Sequence, residues 1–494
     1  MQIPFGEWLP DQPEHLNPGA NIANNVYFAT QSYKRFPSLV NYSTNNISTD
    51  SRGAGSFRDN ANTVYNFVAN NTDIYELDGG TFTSRKSSLT GGNTDFWTFT
   101  QFGNYVIASN GVDAPQYYLM GTSTNFANMS SIVTSGTLPT FRVSGVIRDF
   151  LVTGNHSNAS NRIQWSGIND ISTWASGSKQ SDLQDLPGSG GQIVHITSGE
   201  IGYVFRQNQI VRLDYVGGAT VFRLSVISPN RGAVYGRTVC QDNRRVFFYA
   251  DDGFFEINGD QVIPIGAEKV NRYFDTDLNK AFSDRICAAV DPFNQLALWL
   301  YPSASDTANT TGICDKILIY NYATQKWSTA TANASTIFSQ FVGAYTVELM
   351  DIISENLDNI NIALDTDFWN GGQLLLGAID SDYKAAIFSG TANEGEIETR
   401  ELELFPGLRS NIIGIRPIVD ATATVTIKTR DRLADTVTES SSVSMNSTGI
   451  NPVRQSGRYI KVNVKIPSGG VWKDAQGIDL IASRGGLRWP IKLI

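Results

Sequence analysis

The chain has 494 residues, a formal net charge of −9, 41% apolar residues and only 17% charged residues. Average globular domains carry roughly 25% charged residues, so here the polarity comes from Asn, Ser, Thr and Gly, which are turn residues. This composition indicates an all-β fold of short strands and tight turns. The negative charge and the absence of any basic run longer than two residues argue against a protein that grips nucleic acid by its phosphates.

The cysteines and the apolar segments place further limits. Cys240, Cys287 and Cys314 are few and far apart, which fits neither a disulfide framework nor a metal-ligand spacing and indicates a reducing compartment. The first residues lack the basic and apolar regions of a signal peptide. No apolar stretch approaches the roughly 20 residues of a membrane span, so none is predicted.

The N-terminal segment, residues 1–60, is predicted to be an irregular arm. Pro4, Pro10, Pro13 and Pro18 interrupt it, and proline disfavours long regular elements. Such an arm must be held by something. The alternatives are the body of its own fold and a neighbouring subunit.

Residues 61–392 repeat a hairpin-like unit of two apolar runs around a polar turn. Successive units are 41–53 residues apart, and they begin at residues 64, 105, 150, 203, 246 and 296. Hairpins at this period are typical of a β-propeller, whose small sheets bury their faces against one another. The sequence therefore predicts a propeller with six or seven blades.

Three segments depart from this repeat. Residues 267–282 space their apolar side chains as a helix does, which predicts one or two short helices over a blade edge. Residues 337–364 have mixed periodicity and are either a seventh blade or a connection. Residues 393–494 contain clean period-two strands such as 422–429 and 459–466, which predict a C-terminal β-sandwich-like domain.

No catalytic, cofactor-binding or metal-binding residue is predicted. The three histidines, His15, His156 and His195, lie in different units, whereas nucleophilic catalysis needs a positioned imidazole. His195 lies in an apolar strand and is predicted to be structural. His156 lies in an Asn- and Ser-rich segment and is predicted to be solvated.

Three other motifs are interpreted as turns. Asp251 and Asp252 are neighbours in a hairpin and point in different directions, unlike the facing carboxylates of a glycosidase. Residues 166–174 contain one imperfect copy of the turn that propeller glycosidases repeat. Residues 188–191 lack the lysine and the strand-to-helix setting of a phosphate-binding loop. The chain is therefore not expected to be an enzyme.

Four segments resemble the tail hub or head-completion proteins of short-tailed bacteriophages, also called packaged-DNA stabilisation proteins. Residues 33–39 are similar to the family's segment of an aromatic residue, Arg and Phe-Pro-Gly, with Ser38 in place of the glycine. Residues 230–273 resemble its unit of glycine, apolar strand, turn, Pro-Ile and helix. Residues 317–327 resemble its strand, turn and tryptophan, and residues 457–488 resemble the C-terminal sheet domains of related tail proteins.

The resemblance implies a structural virion protein of the tail, assembled in the cytoplasm of the host bacterium. It implies a homo-oligomeric ring, with a hexamer expected, stacked below the portal and adaptor rings. The ring would close the DNA channel and carry tail fibres, spikes or a needle. An acidic lumen would let the genome DNA pass without specific binding. The N-terminal arm and the C-terminal domain are the segments expected to reach neighbours.

Two other function classes stay open at this point. A propeller that binds carbohydrate, or a receptor-binding adhesin, would need exposed Trp and Tyr side chains clustered on one rim. A propeller glycosidase or lyase would need a pair of facing carboxylates.

Overall fold

The backbone is built almost entirely from short β-strands. The computed structural model describes residues 1–15, 17–218, 220–242, 245–305, 310–341 and 374–485. They form a β-propeller and a β-sandwich, so the predicted all-β propeller fold is confirmed. No helix in the described ranges has the length and apolar character needed to cross a membrane.

The N-terminal segment is not irregular, and that prediction is wrong. It contains five short strands: β1 (Gln2–Pro4), β2 (Ile22–Asn24), β3 (Val26–Ala29), β4 (Ser32–Arg35) and β5 (Pro37–Asn41). The prolines lie at the ends of these strands or between them, where a missing N–H removes no ladder hydrogen bond. They limit the length of the strands without preventing them.

Five successive four-stranded meanders form blades 1 to 5 of the propeller. Each runs antiparallel from its first strand to its fourth, because tight turns join neighbouring strands. The strands are β6 (Gly53–Arg58), β7 (Val64–Ala69), β8 (Ile74–Asp78), β9 (Thr81–Lys86), β10 (Thr98–Phe102), β11 (Tyr105–Ser109), β12 (Gln116–Leu119), β13 (Ala127–Asn128), β14 (Phe141–Ile147), β15 (Phe150–His156), β16 (Ala159–Trp165), β17 (Asp182–Asp185), β18 (Ile193–Ile196), β19 (Ile201–Arg206), β20 (Ile210–Tyr215), β21 (Phe222–Ser228), β22 (Cys240–Asp242), β23 (Arg245–Ala250), β24 (Gly253–Asn258) and β25 (Gln261–Pro264).

Blades 6 and 7 share one long strand. Blade 6 consists of β26 (Cys287–Asp291), β27 (Leu296–Tyr301), β28 (Cys314–Asn321) and the first part of β29 (Lys326–Phe341). After a register irregularity the second part of β29 becomes the first strand of blade 7, and it is followed by β30 (Leu374–Asp380) and β31 (Ala385–Ala392).

The fourth strand of blade 7 comes from the other end of the chain. N-terminal β5 pairs antiparallel with β31, and β6 of blade 1 contacts both β10 of blade 2 and β29 of blade 7. The ring is therefore closed with seven blades, one of the two predicted numbers. Of the ambiguous segment 337–364, residues 337–341 belong to β29 and the rest lies outside the described residues.

The predicted helical segment over a blade edge is confirmed. It forms α1 (Asn271–Asp277) and a 3-10 turn, Lys280–Arg285. Phe274 of α1 is buried, with its ring 4.9 Å from that of Phe254 in blade 5 and 4.8 Å from that of Tyr301 in blade 6. The helix therefore covers the junction of these two blades.

The C-terminal strands form two packed sheets together with strands from the N-terminus. One sheet has the order β3-β4-β39-β33-β37, with β1 on β39, and the other runs β2-β32-β38-β34, with β35 and β36 on β34. The C-terminal strands are β32 (Gly395–Glu398), β33 (Ser410–Val419), β34 (Thr424–Arg430), β35 (Thr438–Glu439), β36 (Val443–Ser444), β37 (Asn451–Gly457), β38 (Tyr459–Ile466) and β39 (Ala475–Arg484).

The domain boundaries predicted at residues 60 and 392 separate strands that pair in the structure. The propeller includes β5 and β6 from the segment 1–60, and the sandwich includes β1 to β4 from it. Local patterning could not show this for β1, β2, β4 and β5, because each of them pairs with a strand hundreds of residues away in the sequence.

Strand β2 joins the two units into one sheet. Its Asn24 pairs in parallel with Thr329 of blade 6 and antiparallel with Glu396 of the sandwich. Asn25 follows at a positive φ of 56°; its side chain donates to the Glu394 carbonyl at 2.9 Å and accepts from the Thr331 amide at 2.9 Å. One apolar cluster also extends from blades 5 and 6 into the sandwich.

Candidate functional site: the channel at the propeller axis

A cavity of about 560 Å³ lies at the centre of the propeller. Residues of the first strand of every blade line it, from β6 of blade 1 to the second part of β29 in blade 7. Its size lies within the roughly 300–1,000 Å³ of ligand pockets. Much of the wall is apolar, and the charged residues that line it are Arg142, Arg237 and Asp284.

One end of the channel carries a cluster of three arginines and two aspartates. The Asp50 carboxylate forms ion pairs with Arg285 at 3.3 Å and with Arg52 at 3.6 Å. Burial lowers the pKa of the Arg52 guanidinium, and the nearby positive charges of Arg285 and Arg237 lower it further, while Asp50 and Asp284 oppose the shift. Asp50 therefore links Arg52 and Arg285 into one charged cluster.

Arg237 is the arginine of this cluster that also lines the open cavity. Its guanidinium carbon lies 4.4 Å from the centre of the Phe96 ring, and the guanidinium donates to the Thr336 hydroxyl at 2.9 Å. It lies on a 3-10 turn, Gly236–Thr238. A Cβ at Gly236 would come within 2.0 Å of the Val194 carbonyl oxygen, so glycine there allows the turn to pack against blade 4 and holds Arg237 in the channel.

A polar groove of about 610 Å³ lies beside the channel, at the end where the first strands of the blades begin. Arg142 lines both the central cavity and this groove, and it forms an ion pair with Asp95 at 2.9 Å. Asn155 and Gln192 also line both. The positive charge of Arg142 is therefore balanced by Asp95.

His156 is buried, so the prediction that it is solvated is wrong. It is the last residue of β15 and pairs with Phe141 and Ala159 in the ladder, and its Nε2 lies 3.0 Å from the Thr153 hydroxyl. Strand β15 therefore extends through His156 before the turn to β16. Burial lowers the pKa of His156 to about 4, and Arg162 adds to this shift.

His195 lies in β18 and lines the channel. Its ring centre is 6.2 Å from that of Phe205 in an edge-on arrangement. Burial lowers its pKa to about 4, while a hydrogen bond with the Gly236 backbone opposes the shift. These are the surroundings of a neutral structural histidine at neutral pH.

We expect stability to fall as the pH drops from about 6.5 to 4. Because the folded-state pKa of His156 is about 4 and that of an unfolded histidine is about 6.5, the unfolded state binds more protons in this window. The free energy of unfolding should fall by at most about 1.4 kcal/mol per pH unit for this residue. Urea unfolding at several pH values measures the slope. His156→Gln should reduce it, and an unchanged slope would contradict the assignment.

The motifs interpreted as turns have structural contacts. Asp251 and Asp252 connect β23 to β24, and Asp252 accepts from Arg231 at 2.9 Å. The carbonyls of Gly188 and Gly191 accept from the buried Arg206 at 3.1 and 2.9 Å. That loop therefore presents oxygens to a cation, whereas a phosphate-binding loop presents N–H groups.

The single copy of the glycosidase-like turn, residues 166–174, also makes structural contacts. Asp170 accepts from Ser172, Thr173 and Lys179. Burial alone would raise the pKa of this carboxyl, but these hydrogen bonds hold it below its usual range. Trp174 is buried and donates to the Ile171 carbonyl at 2.7 Å. These contacts fold the turn on itself.

The cysteines and the tryptophans of the described residues are buried. Cys240, Cys287 and Cys314 are free and buried. No group of three His, Cys, Asp or Glu residues that could hold a metal occurs in the part of the chain that the structure describes. The seven described tryptophans are all buried: Trp8, Trp97, Trp165, Trp174, Trp299, Trp327 and Trp472.

Sequence reasoning missed the arginine cluster. Arg52, Arg237 and Arg285 precede or begin blades that are far apart in the sequence, and no local motif surrounds them. A usable signal would have been a basic residue just before the first strand of a blade, because all first strands meet at the axis.

Comparison with known proteins gives a similarity of fold alone. No protein-family model matches the sequence, and no curated protein matches it. Among solved structures, a chain of the Mitotic Checkpoint Complex has a TM-score of 0.38 and 9% identity, covering 74% of this chain and 98% of that one.

Two further solved structures are similar at the same level. BBS1N in complex with ARL6DN has a TM-score of 0.41 and 10% identity, with 74% and 99% of the two chains covered. The Pan2 WD40 domain of Neurospora crassa has a TM-score of 0.39 and 7% identity, with 73% and 96% covered. Such values carry no argument about function.

Proposed function

We propose that the chain is a structural subunit of the tail of a short-tailed bacteriophage, forming a hub or nozzle ring below the portal and adaptor. The observation that carries the proposal is the single sheet that runs from blade 6 through β2 into the sandwich. Since this sheet fixes two bodies relative to each other, the chain can hold one neighbour on the propeller and another on the sandwich. This suits a scaffold that bears load, and it adds to the resemblance found in the sequence.

The outer face of the sandwich supplies a candidate contact between subunits. Ile413 and Ile481 lie on the neighbouring strands β33 and β39 and are 55% and 40% exposed. Exposed apolar side chains on adjacent strands favour a protein partner. In a ring the partner is a second copy of the chain, and closed rings are the common form of such assemblies. An acidic subunit would let genome DNA pass through the ring without specific binding.

The ring is tested with a matched pair of substitutions. We expect purified protein to form rings of fixed subunit number, measured by mass photometry and electron microscopy, and Ile481→Asp to reduce the ring fraction at least tenfold. Leu183→Asp, on the outer strand of blade 3 and 43% exposed, should leave the rings intact. A wild-type chain that stays monomeric at concentrations of about 50 μM would oppose the subunit contact.

The place in the virion is tested separately. Antibodies against the purified chain should label the tail in electron micrographs of particles from the lysate that produces it. Denatured virions should contain the chain in a fixed ratio to the major capsid protein. Particles that lack the chain altogether would overturn the proposal, whatever its oligomeric state.

A further inference from the structure

We infer that the propeller channel is a binding site for a small organic oxyanion, a carboxylate or phosphate, held by Arg237. This inference does not depend on the proposed place in a tail. It rests on the charge at one end of the channel, the unused hydrogen-bonding capacity of Arg237 and the shape of the space in front of it.

The arginines at this end of the channel differ in whether a described carboxylate pairs with them. Three guanidinium groups, Arg52, Arg237 and Arg285, face two carboxylates, Asp50 and Asp284. Asp50 is shared by Arg52 and Arg285, and in the described part of the chain no carboxylate lies within 4.0 Å of Arg237. Among the described residues Arg237 therefore has no ion-pair partner, in a chain whose net charge is −9.

Arg237 is held in place, and the residues that the structure describes accept from only one of its donors. A guanidinium has five N–H donors, and among the described residues it donates one hydrogen bond, to the Thr336 hydroxyl oxygen. The Phe96 ring, whose centre lies 4.4 Å from the guanidinium carbon, stabilises the cation by its face. A guanidinium that is oriented in advance and has free parallel donors is suited to bidentate binding of a carboxylate or phosphate.

The space in front of Arg237 fits more than an inorganic ion. The cavity of about 560 Å³ is lined by the aromatic rings of Phe57 and Phe99 and by small apolar side chains such as Ala288 and Ala289. Ligand pockets of this kind combine apolar walls with few polar groups that fix orientation. The expected ligand therefore has one oxyanion at Arg237 and an apolar body against the walls.

Calorimetric titration of the full chain tests the site, with benzoate and inorganic phosphate as probes. We expect at least one of them to bind with one-to-one stoichiometry in the millimolar range or tighter. Tighter binding of benzoate assigns a carboxylate with an apolar body, and tighter binding of phosphate assigns a phosphate group. Arg237→Gln should weaken binding of the preferred probe at least tenfold, because the charge and the bidentate donors are lost.

Two further variants keep the test decisive. Arg237→Lys retains the charge without the planar donors and should bind with intermediate affinity. Arg223→Gln, an arginine on the outside of blade 4 with 65% side-chain exposure, should bind as the wild type does. Thermal unfolding in the presence of the probe gives the same ranking through the shift in Tm. Absence of binding of both probes at about 20 mM, or equal binding by Arg237→Gln, would overturn the inference.

Discussion

Deletion of residues 1–41 is expected to abolish the cooperative folding of the whole chain. The deletion removes β5, whose pairing with β31 closes the ring, and β2, which joins blade 6 to the sandwich. It also removes β1 and β4, which pair with β39. The loss of these strands exposes apolar residues of two cores, and the expected destabilisation exceeds the roughly 5–15 kcal/mol of a typical folded domain.

Circular dichroism and urea unfolding measure this effect. The truncated chain should give a broad transition of low amplitude and an expanded elution volume in gel filtration. Co-expression of residues 1–41 as a separate peptide serves as the control and should restore a soluble complex with a sharp transition. A truncated chain that unfolds cooperatively at the wild-type midpoint would show that the N-terminal strands do not hold the ring closed.

The parts of the fold that the sequence predicts are those whose signals are local. The hairpin of blade 5 follows from two apolar runs around Asp251, Asp252 and Gly253, and β23 and β24 form there. The helix follows from the spacing of Val270, Phe274 and Leu278. In each case a few consecutive residues contain both the pattern and the turn, so no distant partner is needed to predict the element.

The parts that the sequence does not predict depend on distant pairing. Strand β5 looks like any short strand, and its partner β31 lies almost 350 residues later. Strand β29 belongs to two blades because a register irregularity at Ala334 redirects it, and no residue type marks that change. The candidate site has the same origin, since Phe96, Arg237 and Thr336 come from different blades and meet only when the ring closes.

Ion pairs of the sandwich also join residues that are distant in the sequence. Arg430 looks like an exposed residue at the end of an alternating strand, but it forms two hydrogen bonds, of 2.6 and 2.8 Å, with the carboxylate of Glu401. The side chain of Glu401 is only 1% exposed. Glu14 of the N-terminal segment approaches Arg430 at 3.4 Å and Lys461 at 2.7 Å, so this network also fixes the N-terminal segment on the sandwich.

Arg430→Met is expected to lower the free energy of unfolding by about 3–5 kcal/mol, because it leaves the Glu401 carboxylate buried without its partner. The double variant Arg430→Met/Glu401→Gln removes the unpaired charge as well. It should therefore be more stable than the single variant, with a coupling of about 1–3 kcal/mol between the two positions. Urea unfolding of the wild type, the two single variants and the double variant measures the cycle.

Lys465→Met is the matched control on the same sheet. Lys465 forms an exposed ion pair with Glu394 at 2.9 Å, and the loss of an exposed pair changes stability by less than about 1 kcal/mol. A buried pair and an exposed pair of similar length should therefore differ several-fold in effect, because the difference lies in the solvation of the remaining carboxylate and not in the contact distance. Equal effects of Arg430→Met and Lys465→Met would mean that water reaches Glu401 and that the N-terminal segment does not seal this face of the sandwich.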